Sequence, residues 1–215
     1  LILFGAPGVG KGTQSKLIQK KYQIPQISTG DMLRRAIRNK TELGLTVKSL
    51  LAKGELVPDA IMLELIRERI SRPDCNHGFI LDGFPRTLKQ AEGLSLLMKD
   101  MNLPAFLCIE IRVPDDMIVT RLSNRHICEN CGKDYNLLIS SLPPDNICLQ
   151  CGGHISSRQD DQAEIIKNRL KVYRELTEKV KDYYDERGLL KVIDGARGVD
   201  KVFSAIDNIL QYYTN

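Results

Sequence analysis

Short apolar runs closed by turn-forming residues recur along the chain at 1–4, 24–27, 79–81, 106–111 and 189–193, with helix-like stretches between them. A run that is apolar at every position suits a strand covered on both faces. The pattern therefore predicts an α/β fold, a parallel sheet with helices on both sides, whose ligands bind beyond the strands' carboxyl ends. Near the end, Ile165, Ile166, Leu170, Tyr173, Leu176, Val180 and Tyr184 recur at steps of three and four. That spacing predicts one long amphipathic helix.

Two stretches break the alternation. Residues 28–57 contain two helical runs without a strand between them and read as a small helical insertion. Residues 124–161 carry paired cysteines, Pro143-Pro144 and many turn formers, and read as a second compact insertion. The expected organisation is a core of 1–27, 58–123 and 162–215 interrupted by these two units, since 215 residues suffice for one main core.

The first apolar run leads into Gly5-Ala6-Pro7-Gly8-Val9-Gly10-Lys11-Gly12-Thr13, which satisfies G-x-x-x-x-G-K between a strand and a helix. Glycines let backbone N–H groups converge on phosphate oxygens, the helix adds its positive end, and Lys11 reaches the β and γ phosphates. Gly12 stands where a Ser or Thr usually ligates magnesium, and the hydroxyl follows on Thr13. Asp82, at the end of an apolar run, is the carboxylate expected near Mg²⁺, through metal-bound water.

Cys128, Cys131, Cys148 and Cys151 are spaced C-x2-C-x16-C-x2-C, and a glycine follows each second cysteine. Four thiolates fill a tetrahedral shell and leave no open position, so a structural Zn²⁺ is expected there. Cys75 and Cys108 fall outside the set.

Three further segments, Ser28-Thr29-Gly30-Asp31-Met32-Leu33-Arg34, Leu81-Asp82-Gly83-Phe84-Pro85-Arg86 and Arg158-Gln159-Asp160-Asp161, follow the loop in an order that resembles adenylate kinases. The likeness runs from residue 1 to about 198, and the cysteine insertion resembles the zinc-containing lid of the long forms. The resemblance implies a P-loop NTPase-like sheet and Mg-dependent transfer from ATP to AMP, giving two ADP. It implies an AMP site of Thr29, Arg34, the backbone of Glu55, Leu56 and Val57, then Gly83, Phe84, Pro85, Arg86 and Gln90, with Arg158 and Arg169. It also places Lys11, Asp82, Arg86, Arg121, Arg125, Arg158 and Arg169 around the transferred group. For ATP it implies Gly8, Val9, Gly10, Lys11, Gly12, Thr13, Arg121 and Arg125, with Asp134, Tyr135 and Arg197 near base and ribose.

The residue types suit these roles. Arg34 and Arg86 offer bidentate forks for a phosphate, although Arg35 and Arg38 beside Arg34 also suit a solvated helix face; Gln90 offers a donor and an acceptor for an adenine edge. Arg121 and Arg125, four apart, would share one helix face. A loose transition state calls for cations rather than a base, because the attacking phosphate oxygen is already ionised. The rival readings are a kinase using GTP, UMP or CMP, and a zinc-ribbon nucleic-acid-binding P-loop protein. The latter conflicts with the absence of Trp and of a continuous basic stripe, in a chain of net charge only +4. The longest apolar stretch, 103–111, is too short for a bilayer, and no signal peptide is visible. A cytoplasmic monomer is expected, with neither membrane nor nucleic acid as partner, or an organellar one if a targeting segment has been removed.

Overall fold

The first apolar run forms β1 (Ile2–Phe4), and the phosphate loop carries it into α1 (Lys11–Tyr22). Next come β2 (Gln26–Ser28), α2 (Thr29–Arg38), α3 (Glu42–Lys53), α4 (Asp59–Ile70), β3 (Ile80–Asp82), α5 (Leu88–Asp100), β4 (Cys108–Arg112) and α6 (Asp115–Ser123). Three short strands follow, β5 (Arg125–Cys128), β6 (Asp134–Asn136) and β7 (Ile155–Ser157). The chain ends with α7 (Ala163–Val172), a π turn (Tyr173–Thr177), α8 (Glu178–Asp185), β8 (Leu190–Asp194) and α9 (Val199–Thr214). The computed structural model describes residues 1–104 and 106–214, with all their side chains except those of Gln159 and Thr214. Ala105, within the apolar stretch 103–111, lies outside the described residues.

Among the described residues, five strands form a parallel sheet in the order β2-β3-β1-β4-β8. Each predicted run supplies one of them, displaced by a residue or two. Pleating sorts each run onto two faces. Ile2, Phe4, Leu81 and Cys108 join a core with α4, α5 and α8 residues, whereas Leu3, Ile80, Ile109 and Ile111 join a second with α1, α6, α7 and α9 residues. β1, β3 and most of β4 are buried on both faces, which is why those runs are continuous, whereas the edge strand β8 exposes Lys191 and Val192. From β1 the chain moves to β2 on one side and later to β4 on the other, so the phosphate loop leaves the sheet where strand order reverses.

Residues 125–157 form a separate antiparallel sheet, β6-β5-β7, whose own apolar cluster is Cys128, Cys148 and Ile155. Two sequence expectations change here. Arg121 and Arg125 do not share a helix: α6 ends at Ser123, Asn124 donates its side-chain amide to the Thr120 carbonyl at 2.9 Å, and Arg125 opens β5. The long helix is also not regular, because the π turn shifts its phase. Leu176, expected inside, is 42% exposed, and Thr177 takes the inward position.

In the helical insertion, α2 and α3 are capped by Ser28 and Thr41, whose hydroxyls accept from the N–H groups of Asp31 and Gly44. The two helices approach closely at Gly44, where an added Cβ would lie 2.1 Å from the Ala36 carbonyl oxygen. Gly44→Ala is therefore expected to destabilise the protein by about 1–3 kcal/mol through overpacking. Thermal denaturation checks this, and an unchanged melting temperature would contradict the close approach.

Candidate functional site

The loop after β1 depends on glycines for two physical reasons. Gly5 and Gly8 have positive φ, and a Cβ on either would meet Ile111 O at 2.6 Å or Leu122 Cγ at 2.7 Å. Gly10 also has positive φ, but the space beside it is open, as an approaching phosphate requires. Val9 is buried, its N–H donating to Ala6 O at 3.4 Å, and Thr13 is exposed. Lys11 folds back onto the loop, donating to the carbonyls of Gly5 at 2.8 Å and Ala6 at 3.0 Å. Burial lowers its ammonium to about 8, with the Asp82 carboxylate opposing that shift.

Asp82 ends β3 facing the loop. A Cβ on Gly12 would lie 3.7 Å from Asp82 Oδ2, which also accepts from Gln26 Nε2 at 2.9 Å. Burial pushes the Asp82 carboxyl up, and the Lys11 cation works against this. Residue 12 thus brings no hydroxyl to this carboxylate, and a side chain there would already touch it.

A cavity opens beside this point. Its walls include Thr29, Arg34, Glu55, Leu56, Val57, Gly83, Arg86, Gln90, Asp160 and Arg169. Most of the anticipated AMP-site residues therefore meet on one surface. Phe84 lies in the core beneath, and Pro85 is buried and off the wall. Gln90 is buried with its amide partly committed. Its Oε1 accepts from the Arg86 N–H and its Nε2 donates to Asp59 Oδ1, both at 2.8 Å, leaving one N–H and one lone pair for a ligand.

Arg125, Arg158 and Arg169 converge on two neighbouring carboxylates. Arg125 forks onto Asp161 at 2.6 and 2.7 Å, and Arg158 onto Asp160 at 2.8 and 3.0 Å. Arg169 donates to Asp161 Oδ1 at 3.0 Å and to the Asp160 carbonyl at 2.9 Å. Arg34 pairs with Asp31 and stands 3.9 Å from Asp160. Burial opposes charge on Asp160, but Arg158, Arg169 and Arg34 outweigh it and hold the carboxyl well below the usual range. Burial also lowers Arg169 to about 10. Asp160 and Asp161 belong to the Arg158-Gln159-Asp160-Asp161 segment, but the sequence does not mark them as site residues. The signal was two acids directly after an arginine, and only folding shows how many cations they serve.

The other anticipated residues spread outward. Arg121 donates to Val9 O at 3.3 Å and to Gly195 O at 3.0 Å, joining the phosphate loop to the turn after β8. Arg197, on that turn, pairs with Asp194 at 3.1 Å. Asp134 pairs with Lys16 of α1 at 2.7 Å. Tyr135 turns instead towards the cysteines, its hydroxyl donating to Cys148 Sγ at 3.2 Å, so that hydroxyl is committed away from the loop.

The sulfurs of Cys128, Cys131, Cys148 and Cys151 lie within 4.8 Å of one another. Cys128 and Cys151 are 3.4 Å apart, Cys131 and Cys148 3.7 Å. A tetrahedron with metal–sulfur bonds of about 2.3 Å has edges of about 3.8 Å, so the set can hold a metal ion such as zinc. The two knuckles repeat one design: Gly132 N–H bonds Cys128 O, Gly152 N–H bonds Cys148 O, and both glycines have positive φ. Tyr135's hydrogen bond lowers the Cys148 thiol to about 6, favouring the thiolate that a metal requires.

A family model described as adenylate kinase matches residues 3–189. The adenylate kinase of Archaeoglobus fulgidus is 46% identical over 211 residues, covering 98% of this chain and 97% of that protein. That of Methanosarcina barkeri is 45% identical over 213 residues, 99% of each. That of Thermodesulfovibrio yellowstonii is 46% identical over 211 residues, 98% of each.

Lys11 makes the site's electrostatics measurable. Between its folded value of about 8 and its ordinary 10.5, the unfolded chain holds a proton that the folded chain has released. Stability therefore rises with pH across that window, and below it the burial penalty is present in full. The wild-type melting temperature is expected to gain on that of Lys11→Met from pH 8 to 10. Parallel profiles would contradict the buried ammonium.

Proposed function

The chain belongs to the adenylate kinase family, and from that premise we propose how its residues move a phosphoryl group from ATP to AMP, giving two ADP. It is a phosphotransferase, and its substrates are ATP with AMP, or two ADP in reverse. The observation that carries the residue assignments is the convergence of Arg125, Arg158 and Arg169 between the phosphate loop and a cavity that already holds Arg34 and Arg86.

In this reading ATP enters as its magnesium complex. The loop N–H groups of residues 8–13 wrap its phosphates, and Lys11 leaves its carbonyls for the phosphate oxygens. Asp82, opposite Gly12, would hold the magnesium of that complex, which would offset the charge of the phosphates. Arg121 steadies the loop from behind, while Arg197 and the backbone of Asp134 and Tyr135 border the base and ribose. AMP takes the cavity, its phosphate on Arg34 and Arg86, and its base near Gln90 and the backbone of residues 55–57.

An oxygen of AMP's phosphate attacks the γ phosphorus in line, and the bond to the β-phosphate oxygen breaks. ADP leaves from both sides. The acceptor is already ionised, so no base is required; the arginines stabilise charge spread over the equatorial oxygens. Asp160 and Asp161 hold those arginines while phosphates are absent.

Water would compete as acceptor in an open cleft. We assign 124–161 to a lid that brings Arg125 and Arg158 over ATP, and 28–57 to a unit closing on AMP. Two contacts support this: Lys16 of α1 to Asp134 of the lid at 2.7 Å, and Arg38 of the helical unit to the Glu129 carbonyl of the lid at 3.1 Å. The lid's metal is read as structural zinc, with all four ligands from the chain. Reduced thiols kept for a metal suit the cytoplasm, and a site completed within one chain suits a monomer. Among the described residues no helix is long and apolar enough to cross a membrane. Kinases of GTP, UMP or CMP, and a nucleic-acid-binding role, are not favoured by relatives that are named adenylate kinases.

Incubation with Mg²⁺, ATP or GTP, and each nucleoside monophosphate in turn is expected to give ADP fastest from ATP plus AMP, and Lys11→Ala to abolish it. Failure of that pair to yield ADP would overturn the reading. Stripping the metal with a chelator is expected to lower the melting of the lid while leaving the core transition in place. A calorimetric trace indifferent to the metal would remove its structural role.

A further inference from the structure

The stripe of the long helix calls for a leucine inside at Leu176, yet the structure exposes Leu176 and buries Thr177, which is 5% exposed. A hydroxyl buried where an apolar group was available is costly unless it is bonded. Thr177 Oγ1 donates to the backbone carbonyl of Arg86 at 3.0 Å. The exchange is made by the π turn, in which the Glu178 N–H bonds to Tyr173 O.

That turn also decides what the helix presents to the site. Arg169 and Thr177 are eight residues apart, which in a regular helix sets them about 80° apart. A turn closed i→i+5 absorbs one extra residue, worth about 100°, and brings the two within roughly 20° of each other. One helix face therefore offers Arg169 to the cluster at Asp160 and Asp161, and a hydroxyl to Arg86.

Two further bonds hold Arg86 from its own loop and the start of α5. Its N–H donates to Gln90 Oε1 at 2.8 Å and its Nε to Gly83 O at 2.7 Å. Thr177 supplies the restraint on its carbonyl from a separate element. We propose that Thr177 is a positioning residue for phosphoryl transfer: its hydroxyl fixes the backbone of Arg86, and so sets the Arg86 guanidinium in register with Arg169. This rests on the reading that Arg86 grips the AMP phosphate. The consequence is selective for the acceptor, because Thr177 touches the AMP side and not the phosphate loop.

Thr177→Val keeps the shape and removes the donor, leaving the Arg86 carbonyl without that bond. It is expected to raise KM for AMP roughly five- to tenfold, the worth of about one buried hydrogen bond, while KM for ATP stays within about twofold. Thr177→Ser is expected to restore the AMP value. Arg86→Ala, measured in parallel, is expected to impair AMP use more severely. If Thr177→Val folds poorly, Thr177→Ala carries the same expectation. Wild-type AMP KM in Thr177→Val beside an impaired Arg86→Ala would overturn the inference alone, and an unimpaired Arg86→Ala would overturn the AMP-site reading beneath it. Equal rises in both KM values, or a serine variant no better than the valine one, would assign Thr177 to packing and also overturn the inference.

Discussion

The arrangement depends on one electrostatic constraint: several cations sit close together and largely out of water, so each must find a partner within the protein. Burying an unpaired charge costs several kcal/mol. Asp160 and Asp161 meet that cost for Arg125, Arg158 and Arg169, and the carbonyls of Gly5 and Ala6 meet it for Lys11. These partners sit on short connections rather than deep in the sheet. They hold the cations with oxygen acceptors at 2.6 to 3.0 Å.

The scaffold follows from that demand. A parallel sheet reversing its order at β1 gives a crevice with a helix N-terminus on one side and the end of β3, with Asp82, on the other. The cations reach it from several elements: Lys11 from α1, Arg86 from the turn after β3, Arg125 from β5, Arg158 from the connection after β7, and Arg169 from α7. The small antiparallel sheet beside this crevice has no large core of its own. Residues 125–157 bury little beyond Cys128, Cys148 and Ile155, and the four cysteines placed to hold a metal ion stand where a larger segment would have apolar mass.

Much of the fold could be read along the chain because its physics is local. Continuous apolar runs mark strands of a covered parallel sheet, and the five found that way are the five of the main sheet, although the edge strand β8 is partly exposed. The cysteine spacing pointed to four sulfurs meeting, since two C-x-x-C knuckles each form within a few residues. The glycine pattern announced the phosphate loop for the same reason. Periodicity failed at Leu176 and Thr177, where a bond to a carbonyl 91 residues away reversed which residue faces in. Spacing also failed at Arg125, because the end of α6 depends on Asn124 capping a carbonyl of the last turn.

The chain alone, then, determined its strands, its phosphate loop, its metal-ligand set and a family resemblance that matched relatives bear out. Each of these is written in residues close together or in a period the backbone imposes. Tertiary structure decided which side chains pair. It set three arginines on Asp160 and Asp161, turned Tyr135 to Cys148, engaged Gln90 with Asp59, and buried a threonine against Arg86. Long polar side chains have many rotamers and many possible partners, so their choices are settled only when distant segments are packed together and every buried charge must find a counterpart.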